Sequence, residues 1–476
     1  MQSQLNQEQL EKIMQSCRNV IARNPRNKAA HHDLAAALMQ AGQYEEAVTS
    51  FEVARNIDPK FVSAWYLSGV CLAELGRVDD AVNCWKKTIE LDKKHDNAIY
   101  FLGKIYGMKG MWDIAIMEFE KAININDEVP AYHLGLAEMH LAKGDINKAI
   151  AEWRIVLGFD GNNTQALANL AAAHLEINNY EEAIRFGLLA VQAGAIISLV
   201  HYNLGMSYMK LALYDEAAAY FEIACELDNE DLSNHLSLGE AYVFMGEVDK
   251  GISQWQLILE VEPNHVDALY NLGLVHQQNQ TEDNGLTYFS RVLDIDPYYQ
   301  PAINSLGIYY YNLAQYEESL AQWRRILSID PINKKALGNV AEILIQQEKY
   351  EEAQSQVNYL YDVDPNEARF LFLRGWLACK QSQLSQVLEN WRRSFIEDPS
   401  IFIRYAEIVK GLLSQNKYDH LIAAASSEDQ LLLEHLLEVM QGTAEEKYQE
   451  QMSQIVADEK QERAGLIDRV RSFFKR

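Results

Sequence analysis

Apolar and polar positions in this chain recur with the spacing of helices, and the spacing itself recurs in blocks. Leu34 and Leu38 are followed by Ala47, Phe51 and Ala54, so each set falls on one helical face. Trp85, Trp153, Trp255, Trp323 and Trp391 are separated by 68, 102, 68 and 68 residues, all multiples of 34. Pro25, Pro59, Pro263, Pro297, Pro331, Pro365 and Pro399 share that period, as do Gly69, Gly103, Gly205, Gly239, Gly273, Gly307 and Gly375. Numbered from Lys28, eleven in-frame blocks of 34 residues run to Ile401 without an insertion.

Each block reads as helix, tight turn, helix. Gly42, Gly76, Gly110, Gly144 and Gly246 stand at position 15, where a first helix ends and a positive φ is needed. Acidic pairs follow at once, as in "YEEA" at 44–47, 180–183 and 350–353, where the macrodipole of a second helix favours negative charge. Proline at position 32 closes the block, because its ring cannot continue a helix. The tryptophans hold position 24, on the inward face of the second helix, and alternate there with Phe51, Phe119, Phe221 and Phe289. That pattern predicts a core residue. The Arg or Lys that follows is expected on a solvated outer face with i, i+4 partners.

These residues resemble the tetratricopeptide repeat (TPR) family. In the segment 198–229, Leu204, Gly205, Tyr208, Ala217 and Phe221 match the family's pattern, with His201 in its Trp place and Asn229 in its Pro place. The resemblance implies an all-α fold, a right-handed α-solenoid of about eleven to twelve 34-residue helix-turn-helix units with a helical C-terminal tail. The expected divisions are an N-terminal helix or half-repeat at 1–27 and the array at 28–401. A degenerate repeat and capping helix follow at 402–442, then a tail at 443–476 whose end is basic and amphipathic.

Composition narrows the function. A formal charge of −26 over 476 residues argues against nucleic acid, which needs clustered Lys and Arg, and suits a basic or apolar protein segment, extended or helical. The first seventeen residues lack a basic region followed by an apolar one, no apolar run approaches eighteen residues, and five cysteines are dispersed without a CxxC pair. The expectation is a cytoplasmic protein with no integral membrane segment. His31, His133, His201 and His235 share position 4, and His140, His174 and His276 share position 11, places filled elsewhere by Trp65 or by tyrosines. Packing explains them better than metal ligation, and no spacing of a metal, phosphate or nucleophile motif occurs. No catalysis and no cofactor is expected.

In TPR proteins, positions 2, 5, 6, 9, 12 and 13 face a concave groove lined by first helices. Here Tyr66, Tyr100, Tyr202 and Tyr270 hold position 5; Met206, Leu274, Ile308 and Trp376 stand among those at position 9; Tyr311 is at 12 and Phe244 at 13. Glu138, Glu176, Glu240 and Glu342 give this stripe an acidic cast. Position 6 carries Asn169, Asn203, Ser237, Asn271, Ser305 and Asn339 in six consecutive blocks. This resembles the asparagine ladder of the TPR arm of the O-linked N-acetylglucosamine transferase, which implies a grip on a peptide backbone, since a carboxamide both donates and accepts. Asp33, Leu67, Phe101 and Gly135 depart from it in the first four blocks. The family's carboxylate clamp needs Lys at position 5, which no block has.

Past the array, 426–442 reads as a capped helix, with Ser before acids and a terminal Gly. In 463–476, five basic residues face Asp468, and Leu466, Ile467, Val470, Phe473 and Phe474 share a helical face. Docking on the acidic array or peripheral membrane contact both follow from that composition. The function expected is a scaffold or adaptor that binds a partner segment in the groove, or alternatively an assembly or regulatory subunit recognised through its outer surface.

Overall fold

A computed structural model describes residues 7–278, 285–413, 415–450 and 452–453, and among them every regular element is a helix. The chain forms two compact units, Met1–Lys210 and Leu211–Arg476. In the first, helix Gln7–Arg23 packs through Leu10 and Met14 against repeat 1. Five helix pairs follow, from Lys28–Gln40 with Tyr44–Ile57 to Thr164–Glu176 with Tyr180–Gln192, and then Ser198–Lys210. The second unit begins with Tyr214–Leu227. It continues through five pairs, from Leu232–Phe244 with Val248–Val261 to Ala368–Lys380 with Leu384–Glu397. Each unit is an all-α solenoid of stacked helix pairs. The basic stretch 463–476 lies outside the described residues.

Backbone chemistry repeats as strictly as the sequence does. At the end of repeat 1's first helix, Gly42 N–H donates to the Met39 carbonyl at 3.0 Å and Gln43 N–H to Leu38 at 2.9 Å, with Gly42 at φ 74°. That pair of bonds is a Schellman turn, which satisfies the last carbonyls of the helix. The same position is left-handed where no glycine stands: Asn178, Ala212, Ala314, Glu348 and Ser382 have φ between 53° and 61°. At the other turn, the aspartate at position 31 accepts from the backbone two residues on, as Asp58 does from Lys60 at 3.0 Å and Asp296 from Tyr298 at 2.9 Å. These are Asx turns, and they account for a share of the acidity that the acidic pairs do not. Asn27, Asn163 and Asn333 then cap the next first helix with their side chains.

Rings from second helices press on the backbone of first helices to make the core. Trp85, Trp153, Trp255, Trp323 and Trp391 are all buried, as the sequence pattern predicts. Sixteen residues before most of them stands glycine, and its missing side chain is what admits the ring. A methyl group on Gly69 would meet Trp85 at 2.5 Å, one on Gly239 would meet Trp255 at 2.4 Å, and one on Gly375 would meet Trp391 at 2.1 Å. The indole N–H groups of Trp85, Trp255 and Trp391 then donate to the carbonyls of Tyr66, Leu236 and Phe372 at 3.3, 3.1 and 3.0 Å. Trp153 faces Ala137 instead of glycine, and its indole N–H finds no partner among the described residues.

Two repeated side-chain roles clarify residues that were ambiguous in the sequence. At position 4, Trp65 donates its indole N–H to the Pro59 carbonyl at 3.0 Å; a ring nitrogen of His31 lies 3.0 Å from the Pro25 carbonyl and one of His133 lies 3.2 Å from that of Asp127. Histidine therefore copies tryptophan's bond to the preceding turn. At position 26, one place beyond the residue that follows the ring, arginines reach back to the preceding turn. Arg291, Arg325 and Arg393 donate to the carbonyls of Pro263, Pro297 and Pro365, each one repeat earlier, and so clip neighbouring repeats together.

The end of the second unit is closed by irregular helices. Ser400–Arg404 and Ala406–Leu412 are separated at Tyr405, and Gln415–Ala424 follows. Ser426 and Asp429 form a capping box, in which Asp429 Oδ2 accepts from the Ser426 backbone N–H at 2.9 Å and from its hydroxyl at 2.8 Å, and Gly442 at φ 83° ends helix Gln430–Gln441. Leu432, Leu436 and Val439 of that helix join the core that holds Trp391 and Phe402.

The turn geometry gives a test with a definite sign. An L-residue in left-handed geometry is strained, so Ala314→Gly should stabilise the protein by roughly 0.5–1 kcal/mol after the added freedom of the unfolded chain is subtracted. Gly246→Ala should cost a similar amount. The midpoint of urea unfolding measures both; equal midpoints for the three proteins would contradict the strain at this turn.

Candidate functional site

First helices supply the site, because they lie nearest to one another along each stack. Among the described residues of the eleven full repeats, the closer contacts between like helices of successive repeats are between first helices: Lys28–Gln40 with Val62–Glu74, Asp96–Met108 with Pro130–Ala142 and Thr164–Glu176 with Ser198–Lys210 in the first unit, and Lys334–Gln346 with Ala368–Lys380 in the second. Tyr66, Tyr100, Asn169, Tyr202, Asn203, Met206, Tyr270, Asn271 and Asn339 are all half-buried on these helices.

In the first unit the tyrosines share their surfaces with neighbouring rings. Tyr66 lies 4.5 Å from His95 between ring centroids, and Tyr100 lies 5.0 Å from Tyr132 and 5.7 Å from Phe119. Burial, with help from Asp96 and Glu138 respectively, raises both phenols from their ordinary values, so they act as donors or packing surface and not as anions. Glu138 is likewise raised by burial, with Lys104 opposing. The carboxamides of Asn169 and Asn203 hydrogen-bond no other described side chain or backbone group, and both stand on successive first helices of this unit.

The second unit uses its asparagines differently. Asn271 donates through Nδ2 to Glu240 Oε1 at 3.2 Å, and the Tyr270 ring packs 5.8 Å from Phe289 and 5.5 Å from Tyr299. Asn339 enters a buried polar network in a cleft of about 480 Å³. Its Oδ1 accepts from Arg369 Nη2 at 2.6 Å, and the same nitrogen donates to Glu342 Oε2 at 2.8 Å. Tyr405 donates to that carboxylate oxygen at 2.8 Å and accepts from Arg369 Nε at 2.9 Å, while Tyr311 donates to Glu342 Oε1 at 2.7 Å. Burial first, and then the Glu342 carboxylate, push the phenols of Tyr311 and Tyr405 up, with the Arg369 charge opposing at Tyr405, so both remain protonated donors.

Sequence reasoning reached Tyr311, Asn339 and Glu342 through their positions but passed over Arg369 and Tyr405. Arg369 holds position 2 of repeat 11, a groove position in the same frame, and that signal could have found it. Tyr405 could not be found so, because it stands where the twelfth unit's first helix breaks. Among the described residues, no group of three or more His, Cys, Asp or Glu is gathered so as to hold a metal ion, and no helix is long and apolar enough to cross a membrane.

Family models agree with this repeat architecture. Residues 4–67, 38–105, 198–231 and 236–299 match tetratricopeptide repeat families. Among solved structures, YrrB, described as a TPR protein with an unusual peptide-binding site, is 25% identical, with 39% of this chain and 96% of that one covered and a TM-score of 0.37. The pilF protein of Pseudomonas aeruginosa is 22% identical, covering 43% of this chain and 93% of that one at a TM-score of 0.37. A tetratricopeptide repeat protein from Parabacteroides merdae is 16% identical, covering 49% and 93% at 0.36. No curated protein matches significantly.

The cleft network predicts strong coupling. Glu342→Ala leaves the half-buried Arg369 guanidinium without its countercharge and should cost about 1–3 kcal/mol, whereas Glu342→Met combined with Arg369→Met should recover most of that loss. Urea unfolding of the two variants checks it. A double variant no more stable than Glu342→Ala would show that the pair is not the source of the penalty.

Proposed function

Because this chain belongs to the tetratricopeptide repeat family, we propose that it is a non-catalytic scaffold that holds a segment of a partner protein along the face of its first helices. A TPR fold supports protein–protein interaction in general. The observation that carries the more specific reading is the state of Asn169 and Asn203. Two half-buried carboxamides on successive helices have both donor and acceptor atoms available, next to the Tyr202 and Met206 side chains. Such groups can pair with a main-chain amide whatever side chain it bears. In the second unit, Asn271 keeps its Oδ1 for a main-chain amide. The proposal includes a cytoplasmic location, which suits the buried thiols of Cys71, Cys84 and Cys225 outside any disulfide.

One observation favours the outer-surface alternative. Second helices expose apolar pairs one turn apart, Ile155 with Phe159 in the first unit and Leu257 with Val261 in the second, and Val261 is 69% exposed. An assembly partner could cover these pairs.

A photoreactive residue at Met206 should capture a partner segment, and one at Leu257 should not. In the same assay, Asn169→Ala with Asn203→Ala should weaken the captured segment about tenfold, as expected for two lost hydrogen bonds of about 0.5–1.5 kcal/mol each, with the thermal midpoint unmoved. Capture at Leu257 alone, with affinity unchanged in the double variant, would replace this reading with the outer-surface one.

A further inference from the structure

The cleft around Glu342 offers more donors than its own network uses. Glu342 already accepts from Tyr311, Tyr405 and Arg369, so its charge is answered within the fold. Arg369 engages Nε and Nη2, while Nη1 bonds no other described residue and lies over Gly338, where a methyl group would meet it at 3.0 Å. Four other repeats carry tyrosine at this position; glycine here makes room for the guanidinium. Asn339 turns its Oδ1 to Arg369, which leaves the two N–H bonds of Nδ2 for something else. Arg404 also lines the cleft, has a side chain 63% exposed, and among the described residues has Asp398 at 4.0 Å as its countercharge. Beside these donors stand the Ile308 side chain, 44% exposed, and the Tyr405 ring. The lining of the cleft holds two guanidinium groups and one carboxylate, with Asp398 outside the lining at the 4.0 Å ion-pair limit from Arg404, in a chain of net charge −26.

We propose that this cleft takes a carboxylate of the partner segment together with the apolar side chain beside it. The carboxylate sits on Arg369 Nη1, Asn339 Nδ2 and Arg404, and the apolar group packs on Ile308 and Tyr405. This rests on the reading that the first-helix face holds a partner segment, and it adds the chemistry of one anchoring point. It also reverses, at this point, the expectation of a basic partner drawn from net charge. Net charge describes the field of the whole surface, whereas a cleft selects by the few groups that line it. The volume of about 480 Å³ suits one side chain and its adjoining peptide group, not a helix.

Saturation-transfer NMR on the full chain tests this with three probes: N-acetyl-leucine, N-acetyl-leucinamide and N-acetyl-glutamyl-leucinamide. N-acetyl-leucine should bind about tenfold more tightly than its amide, the scale of a charge-assisted hydrogen bond. Arg404→Gln, at an exposed position, should bring the acid down to the amide without moving the thermal midpoint. If the glutamyl probe matches the acid, the source is a side-chain carboxylate; if only N-acetyl-leucine binds well, it is a chain terminus, and either result supports the cleft. Equal binding of acid and amide, no binding by any probe, or indifference to Arg404→Gln overturns it. The wider reading is judged separately: a partner segment still captured at Met206 at full strength by Arg404→Gln sinks the cleft and leaves that reading standing. Capture only on second helices sinks the reading, while an acid-over-amide preference would keep the cleft.

Discussion

Where position 8 of a first helix carries no side chain, the ring at position 24 of the same repeat packs directly on its backbone. A helix that presents bare backbone lets an indole come close enough to donate to a carbonyl one turn away, as Trp391 does to Phe372. Magnitudes decide why this arrangement persists. Glycine inside a helix costs about 0.5–1 kcal/mol relative to alanine, whereas removing a buried Trp or Phe side chain costs about 3–5 kcal/mol. Every glycine at position 8 is paired with a ring at position 24, although Phe51 and Trp153 pair with Ala35 and Ala137. Gly103 faces Phe119 and Gly307 faces Trp323, but where position 24 holds only Gly187 or Val357, position 8 is Ala171 or Ala341. In repeat 5 the space over Gly187 is taken by Leu204 of the next repeat, which a methyl group would meet at 2.7 Å.

Once the two helices of a repeat are fixed, the links between repeats are short and local. Schellman turns and Asx turns end the helices, a ring nitrogen at position 4 meets the preceding turn, and arginine at position 26 ties back to a proline carbonyl. Each is worth little alone, but they recur with the period of the fold. Stability in such a stack is a sum of repeat and neighbour terms, so a small bond repeated in every interface matters. The buried Glu342–Arg369 network is the exception. It joins four consecutive repeats through Arg369 and Tyr405, which have no counterpart at their positions in other repeats, and that is the character of a specific site.

Periodicity made the fold legible. Position 24 could be read as core, position 15 as a left-handed turn and Ser426 as a cap, because each follows from residue type and spacing. What stayed hidden had a physical cause in each instance. The left-handed turns at Ala314, Glu348 and Ser382 carry no glycine, so the frame marks them but the residue does not. The arginines of position 26 look like solvated charge until the preceding turn is placed beside them. The cleft depends on where long side chains of Arg369 and Arg404 reach, which no spacing rule gives. The tyrosines and asparagines of the first helices were found by position, yet sequence could not tell the engaged carboxamides of Asn271 and Asn339 from those of Asn169 and Asn203.

The glycine–ring contact is the claim on which the rest depends, and a double-mutant cycle on repeat 11 tests it most directly. Gly375→Ala should destabilise the protein by about 1–3 kcal/mol in urea unfolding, because the methyl group overpacks against Trp391. With Trp391→Val in place, a pairing that Ala341 and Val357 already make, the same change should become neutral or stabilise by up to about 1 kcal/mol, as alanine does in an ordinary helix. A Gly375→Ala effect of the same sign and size in both backgrounds would contradict the account.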